Sequence, residues 1–199
     1  MTKMTRPAPD TASASVFAPG PLVLAALIFV AALSRLLPHP PNFSPVEAIA
    51  LFGGAYFASR AWALAVPLLA MLASDLVLVS IMGGSYATYL GGISFWTVYA
   101  CIALSTVLGF GLRGRTSAPR VLAYSLAGSV LFFAVTNFGA WLGWPAFYPR
   151  NAAGLAAAYV AGIPFFKWTV AGTLAYSAFL FGGFALLRRR LPVLRAQTV

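Results

Sequence analysis

Apolar residues in this chain gather into long runs, and the polar positions fall between them. Segments 21–37, 61–82, 93–112, 119–143 and 164–187 each reach the roughly 17–20 residues that a helix needs to cross a bilayer. A further run, 45–59, has only fifteen residues; it reads as a short tilted span or as a re-entrant helix shielded by protein. Basic residues arbitrate between six helices and five. With six, one side collects Lys3, Arg6, Arg60, Arg113, Arg115, Arg120, Arg188, Arg189, Arg190 and Arg195, and the other keeps Arg35, Arg150 and Lys167. With five, the C-terminal arginines would face away from the Arg113–Arg120 connector and the signal would split. The expected fold is therefore all-α, a polytopic bundle of six transmembrane helices with both termini cytoplasmic. It divides into a disordered tail (1–20), the bundle (21–187) and a basic tail (188–199).

Composition supports the membrane assignment. Of 199 residues, 61% are hydrophobic and 8% charged, against about 25% charged in a soluble domain. The net charge of +10 raises nucleic acid as a partner. The basic residues, however, stand singly or in short groups between apolar runs, not on one folded face, so no nucleic-acid partner is expected. The lone cysteine, Cys101, excludes an internal disulfide and a cysteine metal cage, and the lone histidine, His39, excludes bis-histidine haem. No nucleophile–base pair, HExxH, phosphate-binding loop or dinucleotide fingerprint occurs. Neither an enzymatic activity nor a cofactor or metal is expected.

The candidate chemistry lies on the side away from most of the arginines. Three connectors face that side: 38–44, rich in proline; 83–92, GGSYATYLGG; and 144–163, with an aromatic start and a small-residue middle that suggests a short surface helix. In the stretch RLLPHPPNFSPVEAIALFGG, Ser44, Pro45 and Glu47 fit a capping box, with the acid reaching back to the Ser44 amide. Asp75 sits inside an apolar helix, where an unpaired charge costs roughly 2.5–3.5 kcal/mol at the bilayer centre. It should face inward and pair with Arg35 or Lys167, either as a lock between helices or as the polar floor of a binding site. Asn137 shares a helical face with Phe133, Trp141 and Trp144, a pattern that suits a pocket wall, although aromatic belts give similar spacing. His39 is held between prolines as a loop residue or a ligand contact. Small-residue pairs four apart, Ala61/Ala65 and Ala171/Ala175, would permit close helix packing.

The segments RLLPHPPNFSPVEAIALFGGAYF, SDL at 74–76, FFAVTNFGAWL, YPRNAAGLAAAYVAGIPFF and LFGG resemble a family of small bacterial membrane proteins described as transport proteins. That family is similar to the substrate-binding S components of energy-coupling-factor (ECF) transporters. The resemblance covers about residues 30–184. It implies a six-helix S-component-like bundle in the bacterial inner membrane that captures a vitamin-like nutrient in a pocket near the outer face. It also implies, for some members, a transmembrane partner with ATPases. Cys101 does not stand in an outer loop, where the cobalamin-type members place a cobalt-binding cysteine. The motif positions carried over are Pro40, Pro41, Asn42, Phe43, Asp75 and Asn137.

Taken together, the expected substrate-binding residues are Arg35, His39, Asn42, Phe43, Asp75, Asn137, Trp141 and Lys167. The expected function is capture of a small organic nutrient at the outer side for transport, with the lipid bilayer as the surrounding partner. The alternative is a scaffold or assembly protein that binds another protein through its outer loops.

Overall fold

The computed structural model describes residues 18–196, 198 and 199. Most of the tail expected over 1–20 lies outside the described residues, as do Lys3 and Arg6. Every regular element among the described residues is helical. The order is α1 (Pro19–Leu33), α2 (Val46–Tyr56), α3 (Arg60–Met82), α4 (Gly84–Ala87), α5 (Ile93–Gly109), α6 (Ala118–Gly143), α7 (Ala152–Ser177), α8 (Gly183–Arg190) and α9 (Val193–Ala196). A 3₁₀ turn extends α1 to Leu36 and another extends α5 to Leu112, while a π-helical stretch, Ala178–Gly182, joins α7 to α8. Helix starts follow the sequence chemistry. Proline occupies the first turn of α1 and of α6, where a missing N–H costs nothing. The Ser59 hydroxyl accepts from Trp62 N at α3, and Asn151 Oδ1 accepts from Gly154 N at α7.

Five stretches are long and apolar enough to cross a membrane: Pro19–Leu36, Arg60–Met82, Ile93–Leu112, Ala118–Gly143 and Ala152–Arg190. Their outward faces carry exposed Val30, Leu69, Ile81, Val107, Val130 and Ile163, as surfaces solvated by lipid do. The expected sixth span differs. α2 has eleven residues, a rise of about 16 Å, while the hydrocarbon core is about 30 Å thick. All eleven of those residues are buried, and the helix packs against α1, α3, α5, α6 and α7. It is the axis around which the long helices are arranged. Its tightest contact is with α5: a Cβ on Gly54 would lie 2.2 Å from Thr106 O, and one on Gly109 would lie 2.6 Å from Leu51 O. Close packing thus runs through these glycines, whereas Ala61 and Ala175 are exposed.

Two further expectations are corrected. Residues 152–163 do not form a separate surface helix; they are the first turns of α7, which runs through Pro164 without a break. Alanine and glycine suit either arrangement, and packing against α6 selects the continuous one. The capping box is not formed either. Pro45 takes the N-cap position with no side-chain cap bond, and Glu47 turns into the core, 2% exposed.

Contacts define the two ends of the bundle. Arg113 donates to Gly54 O and Phe57 O, Arg188 stacks over Tyr56, and the Tyr56 hydroxyl meets Thr116. Helices α1 and α9 also touch, and Val199 N donates to Tyr56 O. The start of α1 and the described C-terminus therefore share one end, the basic end, and α2 points its C-terminus there.

Candidate functional site

Away from the basic end, two clusters contain the sequence candidates. In the first, Arg35 Nη1 lies 2.8 Å from Asp75 Oδ1 and 2.7 Å from Ser74 Oγ. The Asp75 carboxylate also accepts from the Tyr86 hydroxyl at 2.9 Å and the Tyr99 hydroxyl at 2.8 Å. Four segments meet on one 2%-exposed carboxylate: the end of α1, α3, α4 and α5. Burial and the neighbouring acid raise the Tyr86 hydroxyl above its ordinary value, so it stays a neutral donor. Burial raises nearby Tyr89 to about 12 for the same reason. With both carboxylate oxygens occupied, this cluster is a lock, not an open binding surface. Lys167 is not its partner: it is exposed and lies 5.4 Å from the Trp168 ring centroid.

The second cluster is a cleft of about 210 Å³ between α6 and α7. Asn42 reaches it from the turn formed by Pro40, Pro41, Asn42 and Phe43. Phe43 N donates to Pro40 O at 3.0 Å, and Asn42 has φ 65°; proline followed by a left-handed asparagine is the signature of a type II turn. Behind the turn, Phe43 and Ser44 rest on α7, where a Cβ on Gly172 would lie 2.8 Å from Ser44 N. The turn thereby presents Asn42 to the cleft. Asn137 faces it from α6, with Nδ2 donating to Phe133 O at 2.7 Å. The missing side chain of Gly162 leaves the space that the Asn137 amide occupies, since a Cβ there would meet Oδ1 at 2.3 Å. Thr136, Thr169 and Tyr148 add hydroxyls, and Phe132, Phe165 and Trp144 add apolar walls. Two amides facing three hydroxyls and aromatic surface can orient a small molecule by hydrogen bonds and hold it by stacking.

A larger cavity, about 580 Å³, opens towards the basic end between α6 and the α7–α8 helix. Its walls are mostly apolar, including Val121, Leu122, Leu174 and Phe181. Three serines line it, and two of them, on facing helices, satisfy each other, Ser125 Oγ donating to Ser177 Oγ at 2.8 Å. Tyr56, Thr116 and Ser117 add hydroxyls, but no amide or charged side chain lines it; the smaller cleft, where two amides converge with hydroxyls and aromatic rings, is the candidate binding site.

The expected site residues therefore separate. Asn42 and Asn137 meet at the cleft, and Arg35 and Asp75 meet at the lock. His39 is exposed, with Nδ1 2.7 Å from Leu37 O. Phe43 packs on Tyr176. Trp141, one turn beyond Asn137, does not line the cleft: it packs on Phe138, donates to Pro149 O and lies under Arg150. Sequence reasoning missed Thr136, Thr169 and the donor Tyr99, and read Tyr86 and Tyr148 only as aromatics near the outer side. A signal existed for part of this: Ser125, Ser129, Phe133 and Asn137 recur every four residues along α6, and Thr169, Thr173 and Ser177 do so along α7. These two stripes line one seam.

Comparison with known proteins gives a family but no established function. No curated protein and no solved structure shows significant similarity to this chain. The model of a family of unknown function (DUF6580) matches residues 16–194, which is most of the chain, and the protein belongs to that family.

Proposed function

We propose that this protein captures a small organic molecule in the cleft between α6 and α7 and serves its passage across the membrane, as a transport protein and not an enzyme. The observation that carries this reading is the pairing of Asn42 and Asn137 across a cleft of about 210 Å³ with hydroxyl and aromatic walls. Ligand cavities commonly hold about 300–1,000 Å³, so the molecule is compact, with one or two hydrogen-bonding edges and a flat apolar part. A vitamin-like nutrient has that chemistry, in keeping with the resemblance to S components. The described arginines at the basic end, against only Arg35, Arg150 and Lys167 elsewhere, support a cytoplasmic basic end by the positive-inside rule. The cleft then faces outward, in a bacterial inner membrane, with six chain passages of which α2 is the short one.

The test is to extract and identify by mass spectrometry what the purified protein retains. Wild type should retain one compact organic species, and Gly162→Leu, which fills the cleft, should lose it; Asn137→Ala should retain it about tenfold more weakly. Equal retention by all three proteins would overturn the reading. So would a wild-type protein that carries no such molecule from cells in which it is active.

A further inference from the structure

Glu47 is left unexplained by the cleft and by the lock. It lies in the first turn of the central helix α2, 2% exposed, and its Oε1 has no hydrogen-bond partner. Among the described residues no basic side chain lies within ion-pair distance of it. The groups around it come from three helices. Thr173 of α7 faces its carboxyl group, Gly128 of α6 lies against its Cβ, and the buried thiol of Cys101 on α5 is the titratable group within electrostatic reach. A carboxylate in such a place has no counter-charge, and desolvation of an unpaired ion is costly. The same group carrying a proton costs far less.

Its position gives the proton somewhere to go. Thr169 lines the cleft, and Ser125 and Ser177 line the cavity nearer the basic end. Thr173 lies midway along α7, four residues from Thr169 and four from Ser177, and its hydroxyl donates to Thr169 O at 2.8 Å. Glu47 thus stands at the layer that separates the two cavities, with hydroxyl groups, each both donor and acceptor, on either side.

We propose that Glu47 is an exchangeable-proton site between the two cavities, taking up a proton through one and releasing it through the other. The only bond made and broken is the carboxyl O–H, and the proton gained from one side is the proton lost to the other. The proton site stands on this geometry alone; its use to drive a captured molecule rests on the capture reading above.

A hydrophobic carbodiimide tests it on the intact protein. Dicyclohexylcarbodiimide takes the proton of a buried carboxylic acid onto nitrogen as the carboxyl oxygen bonds to its carbon, and the adduct rearranges to a stable N-acylurea. An ionised acid does not react. Peptide mapping by mass spectrometry should place the adduct on Glu47 and not on Asp75. Labelling should fall about tenfold per pH unit above its midpoint, and Thr173→Val should change its rate. Absence of a Glu47 adduct, or labelling constant across the pH series, would overturn the proposal. Protection by sodium ions at fixed pH would also overturn it, in favour of a cation site. The outcomes are separable: a pH-dependent adduct in a protein that retains no ligand removes the capture reading and leaves the proton site standing.

Discussion

Asp75 and Glu47 are both acids inside an apolar bundle, and each is 2% exposed. Their surroundings differ in every other respect. Asp75 has a guanidinium on one oxygen, two tyrosine hydroxyls across both, and partners drawn from three further segments of the chain. Glu47 has an oxygen with no partner, a threonine and a glycine beside it, and two cavities within a turn or two of helix. Burial alone therefore says little about what an acid does. Engagement decides: a carboxylate with a charged donor and hydroxyl donors spread over both oxygens ties elements together, while one with an oxygen left unengaged can bind something that comes and goes.

The sharpest way to break this contrast is to remove one acid at a time. Asp75→Ala would leave Arg35 charged, largely buried and without its counter-ion, which typically costs about 3–5 kcal/mol. Thermal unfolding in detergent should show a large fall in midpoint. Asp75→Asn should lie between, because the amide oxygen still accepts from one of the two tyrosines, which bond different oxygens of the acid. A wild-type melting temperature for Asp75→Ala would remove the lock from the account.

The seat of α2 is the next lever, because it alone holds Glu47 at the layer between the cavities. Gly54→Val places a branched side chain where a bare Cβ would already lie 2.2 Å from Thr106 O. Overpacking of this kind costs about 1–3 kcal/mol, and the helix must shift outward from α5. Carbodiimide reactivity of Glu47 should change with it. Unaltered stability and reactivity would mean that α2 is held some other way.

Glu47→Gln should be nearly silent in stability, within about 1 kcal/mol, since it exchanges one neutral hydrogen-bonding group for another of the same shape. If the protein transports a captured molecule as proposed, that transport should be lost all the same. A drop in melting temperature as large as that of Asp75→Ala would make Glu47 a second structural acid and erase the distinction.

Much of the architecture was legible beforehand because length and hydropathy speak directly to the bilayer. The five long spans follow from apolar runs, and the cost of an unpaired charge required an inward partner for Asp75, with Arg35 one of two candidates. What escaped depends on who the neighbours are. A fifteen-residue apolar run looks the same whether lipid or protein surrounds it, so α2 read as a doubtful span when it is the buried axis. Ser44-Pro45-Val46-Glu47 satisfied a local capping pattern, and only tertiary packing turned the acid inward. At the cleft, Asn137 was legible as an amide sharing a helical face with aromatics, and Asn42 only as a motif position that the family resemblance carried over. Thr169 and Thr173 were not, because a hydroxyl every four residues gains meaning only when a second helix carries the matching stripe.

The smallest expected effects concern residues that sequence alone placed in the site. His39 and Lys167 are both exposed, the one bonded to a neighbouring carbonyl and the other lying by a tryptophan ring. Exposed substitutions of this kind usually shift stability by no more than about 0.5 kcal/mol. His39→Ala and Lys167→Ala should therefore melt with wild type and retain the same extracted molecule, whereas Asn137→Ala should not. If Lys167→Ala lost the ligand while Asn137→Ala kept it, the binding surface would lie outside the cleft, on an anion-seeking face of α7. The partly engaged groups of the α6–α7 seam would then have no ligand to explain them.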